Sequence, residues 1–202
     1  MDNSSFAAKW QASTQKFLNT SDNLGKDIDP KILDTVIALN LLGVSTSQSC
    51  EGHLDRALAG PWIILGTPTD LEVETVKTQM NTVYQEANQI KTTKPNDFAR
   101  DENYIQKMEL YRELQKKTVV PTQKNIQKLI PLLEEFYQAR QLPYLNRLII
   151  SSEDSPIPRL RNQGLYLQDI VANEARAANL LAFQEEMLAF TNFLKQKLQY
   201  TL

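Results

Sequence analysis

From Gln168 to Gln199 the chain contains neither glycine nor proline. Along it Leu180, Phe183, Met187, Phe190 and Leu194 recur at intervals of three and four. That spacing lays an apolar stripe down one side of a helix. A long C-terminal helix over about 168–199 is therefore predicted, and it demands a surface to cover the stripe. Two surfaces would serve: the chain's own core, or the same seam on a second copy. The 202 residues suit one domain over 1–202, and no proline- or serine-rich linker divides them. A hydrophobic share of 42% against 23% charged residues supplies a core and excludes a globally disordered chain.

Other segments carry helical spacing too. Residues 4–20 place Phe6, Trp10, Phe17 and Leu18 on one side. Asp29-Pro30 opens the next helix, with Asp29 as the capping side chain and Pro30 at the first helical position. Ile32, Leu33, Val36 and Ile37 follow, and Gly43 ends it. Thr69-Asp70-Leu71-Glu72 reads as a capping box ahead of Val73, Val76, Met80, Val83, Ala87 and Ile90. Lys91 to Asp97 breaks that helix, and Tyr104 to Leu114 resumes. Val119-Val120-Pro121 predicts an interruption, and Pro131 a kink or late start in the stripe from Ile126 to Tyr137.

Short β-permissive segments read as strands at about 44–51, 61–66, 147–152 and 157–162, the first polar and the second an apolar run. The last two make a hairpin across the turn residues Ser152 to Pro156. Pro158 in the return strand marks an edge or a late start, and Gly164 its end. The predicted fold class is α+β: mostly helical, with a small, mainly antiparallel sheet of about four short strands covered by long helices.

A net charge of −2 argues against broad nucleic-acid binding, which needs a basic face. No apolar run is long enough to cross a membrane. Met1 to Ser5 lacks the basic and apolar regions of a signal peptide, and the single cysteine has no intrachain disulfide partner. A cytoplasmic protein is expected.

Scarcity then narrows the chemistry. The chain has one histidine, His53, and one cysteine, Cys50. Any cysteine–histidine or serine–histidine mechanism must use His53 as its base. Both lie in Cys50-Glu51-Gly52-His53-Leu54-Asp55-Arg56, on a loop between two predicted strands. Three readings stay open. Cys50 is a nucleophile with His53 as its base, and an arginine lowers the thiol pKa. Alternatively, Glu51, His53 and Asp55 alternate along an extended chain and hold a metal, a geometry that Gly52 would bend; no metal site is assigned on that basis. Finally, the loop binds a small polar or anionic ligand, with Ser47, Ser49, His53 and Arg56 as donors and Trp62 as a stacking wall. Beside these stands the plain structural reading: a buried thiol, a satisfied histidine, and Trp10 and Trp62 as core anchors.

Arg159 and Arg161 alternate on the last predicted strand and would share a face. They suit an anion clamp or, equally, a solvated edge. No glycine-rich phosphate loop or G-x-S-x-G elbow is present, and no cofactor is indicated.

The run Leu42-Gly43-Val44, Ser49-Cys50-Glu51-Gly52-His53 and Pro61-Trp62-Ile63 resembles a bacterial family of uncharacterised proteins with an S-C-E-G-H segment before a short apolar strand. The similarity covers roughly residues 30–66. More distantly, the segment is similar to the Ser-x-Cys-Ser-Gly-Arg segment of the wybutosine-synthesis tRNA methyltransferase family. Cys50 and Gly52 match, whereas Glu51 replaces serine and His53 replaces arginine. The resemblance implies a mixed α/β fold with this segment near a functional surface; it implies no particular activity.

The leading expectation is a small polar or anionic ligand site, with catalysis left open, around Cys50, Glu51 and His53. In it His53 is the acid–base group, Glu51 orients it, and Arg56, Trp62, Arg159 and Arg161 contact the ligand. The alternative is a non-enzymatic helical protein that dimerises through Phe183, Met187 and Phe190 on its last helix.

Overall fold

The computed structural model describes residues 3–21, 26–55, 59–66, 71–95, 97–152, 158–170 and 172–201. It is α+β and mostly helical, with one small antiparallel sheet. The chain forms two compact units, Met1–Gly66 with Lys124–Leu202, and Thr67–Gln123. Among the described residues no helix is long and apolar enough to cross a membrane.

The larger unit holds the sheet. Its strands are β1 (Thr46–Cys50), β2 (Trp62–Leu65), β3 (Leu148–Ser151) and β4 (Arg159–Asn162), in the order β1-β2-β4-β3. All neighbours are antiparallel. The predicted hairpin is β3–β4; Glu153 to Ile157 of its turn and return lie outside the described residues. β4 starts directly after Pro158, whose carbonyl accepts the Leu65 amide at 2.9 Å. This is the late start that a residue without an amide predicts. One sheet face carries Ile63, Leu65, Leu148, Ile150 and Leu160 into the core.

Helices α1 (Asn3–Leu18) and α2 (Pro30–Leu41) follow the predicted boundaries closely. Gly43 adopts φ 74° and ends α2, its amide bonding to Asn40 O at 2.9 Å. α3 (Leu71–Thr93) starts inside the expected capping box, of which Thr69 and Asp70 lie outside the described residues. α4 (Glu102–Gln138) is continuous through Pro121 and Pro131, where a break and a kink or late start were expected. Each proline removes only one amide from the helical ladder, at about 3 kcal/mol. Around Pro131 the burial of Leu129, Leu133 and Phe136 offsets this, at about 1.5–3 kcal/mol for each side chain.

The last helix, α5, spans Asn173–Thr201. Gln168 to Ile170 belong to a preceding 3-10 segment, Gln163–Ile170, which also contains Gly164. The apolar stripe of α5 is spent inside the chain. Phe183, Met187 and Phe190 are 1%, 2% and 0% exposed. Phe190 meets Phe136 edge-on at 5.1 Å between ring centres. α5 also packs on α2, where the hydroxyls of Thr35 and Thr191 bond at 2.6 Å within the core. A buried pair of this kind satisfies two groups that would otherwise be costly to bury. The side chains named for a two-fold seam are thus not the surface that a second copy would meet.

The smaller unit is a helical pair. Val83, Ala87 and Leu114 are buried. Tyr84 on α3 meets Tyr111 on α4 at 5.7 Å, and Glu86 pairs with Lys107 at 2.5 Å.

Because the α5 stripe is intrachain core, Phe190→Ala should cost about 3–5 kcal/mol in chemical denaturation. The loss should not depend on protein concentration, whereas Leu181→Ala, at an exposed position of the same helix, should change stability by under about 0.5 kcal/mol.

Candidate functional site

β1 is an edge strand that ends at Cys50, paired with Trp62. Beyond it Glu51, Gly52 and His53 leave regular structure. Gly52 makes the departure feasible. It adopts φ 86°, and a Cβ there would lie 2.5 Å from the carbonyl carbon of Gly60 and 2.7 Å from its Cα. The loop therefore folds tightly on the backbone leading into β2. Gln184 of α5 fastens it from the other side, its Nε2 donating to the Glu51 carbonyl at 3.0 Å.

This path brings Glu51 to the start of α2. There the structure exchanges the two roles expected from the sequence. Asp29 precedes Pro30 but makes no side-chain capping bond. The Glu51 carboxylate supplies the cap from elsewhere in the chain, accepting the Lys31 amide at 2.9 Å. Asp29 instead turns to the loop, where its Oδ2 accepts the Glu51 amide at 3.1 Å and lies 3.3 Å from His53 Nε2. The residue that orients His53 is Asp29, not Glu51.

Cys50 completes the cluster. Its thiol bonds to the Asp29 carboxylate, and the Gly52 amide donates to its sulfur at 3.4 Å. One ligating atom from each of Asp29, Cys50 and His53 falls within 4.8 Å of the others. Cys50 is buried, while the Asp29 and His53 side chains remain about a quarter exposed, at 23% and 25%. Burial raises the Asp29 pKa, but bonds from the Glu51 amide, His53 and Cys50 outweigh it and hold the carboxyl below its ordinary value. The donor types are those that ligate metals: carboxylate oxygen, imidazole nitrogen and thiol sulfur.

Of the remaining expected site residues, Trp62 is the β2 partner of Cys50, and Arg161 is the β4 partner of Trp62. Arg56 lies outside the described residues. The Arg159 guanidinium sits over the Trp62 ring at 5.2 Å. Arg161 is buried and turned towards β3, donating to Ser151 Oγ at 2.7 and 3.1 Å and stacking on Tyr166 at 3.8 Å. Asp55 is exposed and outside the cluster. In these contacts the two arginines pack against Trp62, Tyr166 and Ser151.

A groove of about 350 Å³ opens beside the loop, between the start of α2 and α5. Lys31, Asp34, Glu51, Gln184, Glu185 and Thr191 supply its polar lining. Ile32, Met187 and Leu188 are among its apolar walls. In comparisons with known proteins, no family model, no curated protein and no solved structure matches this chain.

Gly52→Ala should unfold the loop or shift it, since a backbone clash and a left-handed φ coincide. A loss above about 3 kcal/mol is expected. Gly43→Ala, whose Cβ would meet only the flexible end of Lys128, should cost about 1–2 kcal/mol. Paired thermal melts check the contrast, and equal losses would contradict it.

Proposed function

We propose that this protein binds a small polar molecule in the groove between α2 and α5, with the Asp29–Cys50–His53 cluster as the adjoining reaction centre. The observation that carries the reading is the double engagement of Glu51. Its carboxylate lines the groove and caps α2, while its amide holds Asp29 in the cluster. A ligand that displaces or bonds the Glu51 side chain therefore acts directly on the residue that fixes Asp29. The groove volume is in the range of small-molecule sites, and its mixed lining suits a ligand with an apolar body and a few polar atoms.

The lining also bears on ligand charge. Asp34, Glu51 and Glu185 face one lysine, Lys31, and Asp34 already bonds Lys195 at 2.6 Å. An uncharged or cationic molecule fits this balance better than an anion. With no ion bound, His53 is the proton-carrying group of the reaction centre and Asp29 its orienting partner.

A panel of small amines, amides and alcohols, screened by protein-observed NMR, tests the reading. Binders should shift the amides of Lys31, Glu51 and Gln184. Leu188→Trp fills the groove from a position 56% exposed, so the fold should be retained while affinity falls at least tenfold, about 1.4 kcal/mol. The reading fails if no compound moves these amides, or if the substitution leaves affinity unchanged in a folded protein.

A further inference from the structure

We propose that Asp29, Cys50 and His53 are the ligands of one zinc-class divalent ion. The proposal deepens the reading of this cluster as a reaction centre and rests on it. Four observations support it. The first is the donor set. A thiolate with an imidazole and a carboxylate selects a borderline-soft ion and disfavours magnesium or calcium, which take oxygen ligands.

The second is distance. Asp29 Oδ2 and His53 Nε2 lie 3.3 Å apart, long for a hydrogen bond between such groups. Two ligands on one tetrahedral zinc are separated by about 3.3 Å for oxygen and nitrogen, and about 3.6 Å where sulfur is one of the pair. The largest spacing in the cluster, 4.8 Å, needs only a side-chain adjustment of about 1 Å to reach that geometry.

The third is the surrounding shell. Metal ligands are held by bonds to their remaining atoms. Here the Glu51 amide holds the Asp29 carboxylate, and the Gly52 amide points at the Cys50 sulfur, where it stabilises a thiolate. The positive end of α2, which would repel a cation, is met by the Glu51 carboxylate on the Lys31 amide.

The fourth is the coordination position that the trio leaves free. Among the described residues no fourth histidine, cysteine or carboxylate joins the cluster. The three ligands leave a tetrahedral position open to water or to a ligand oxygen, as in catalytic zinc sites.

Cobalt(II) titrated into the metal-free 202-residue chain tests the assignment. One equivalent should give a thiolate-to-metal charge-transfer band with the intense visible bands of a tetrahedral ion, and zinc should displace it. Cys50→Ser should abolish the charge-transfer band. Asp29→Asn and His53→Gln should each weaken cobalt binding at least about tenfold. These two carry the test if circular dichroism shows that Cys50→Ser does not fold. Asp55→Asn should have no effect; a loss there would replace the proposed trio with one containing Asp55. No charge-transfer band in the unsubstituted chain, or a band that survives Cys50→Ser, overturns the proposal. Groove binding is measured separately, as amide shifts at Lys31 and Gln184 in the metal-free chain. The metal assignment can therefore fail while the groove reading stands, and the reverse.

Discussion

The Lys31 amide needs an acceptor, because Pro30 opens α2 and no preceding turn provides one. Glu51 answers from the end of β1, and much of the local architecture follows from that bond. It draws the chain after β1 across the start of α2. It leaves Asp29, the neighbouring acid, free to face the loop. It sets Glu51 on the groove wall with its own amide bonded back to Asp29. Two carboxylates thus exchange bonds with each other's surroundings, and a helix end becomes one wall of a cavity.

Much of the fold was legible because its signals are local. The α2 boundaries follow from Asp29-Pro30 and Gly43, and the four strands sit within two residues of their expected starts. The α5 stripe was visible, but not the surface that covers it. Periodicity specifies an apolar face and is silent on whether Phe136 of the same chain or a second copy meets it. Proline was over-read. Pro131 looks like a kink or late start in isolation, yet the burial of Leu129 and Leu133 on either side of it carries the helix through. The 3-10 segment before α5 was also missed, since no glycine or proline separates Gln168 from the helix that follows.

The site was half legible. Rarity alone marked Cys50 and His53, and both lie in the cluster. Asp29 was read as a cap because aspartate before proline ordinarily is one. Its real partners lie more than twenty positions away, a separation that no local pattern encodes. Arg159 and Arg161 were placed on one face correctly by alternation. Alternation does not report how far along that face a long side chain reaches, and Arg161 reaches towards Ser151 on β3.

The Gln184 bond to the Glu51 carbonyl joins residues 133 positions apart. Contacts of such range form late, because the intervening chain must first be ordered. On the ribosome, β1 and its loop emerge long before α5 exists to fasten them. Until then Cys50 is carried on an unfastened edge strand, open to oxidants and to stray metal ions. The order of synthesis therefore makes the site's completion a report that the C-terminal helix has docked, and gives the thiol its period of greatest vulnerability before that moment.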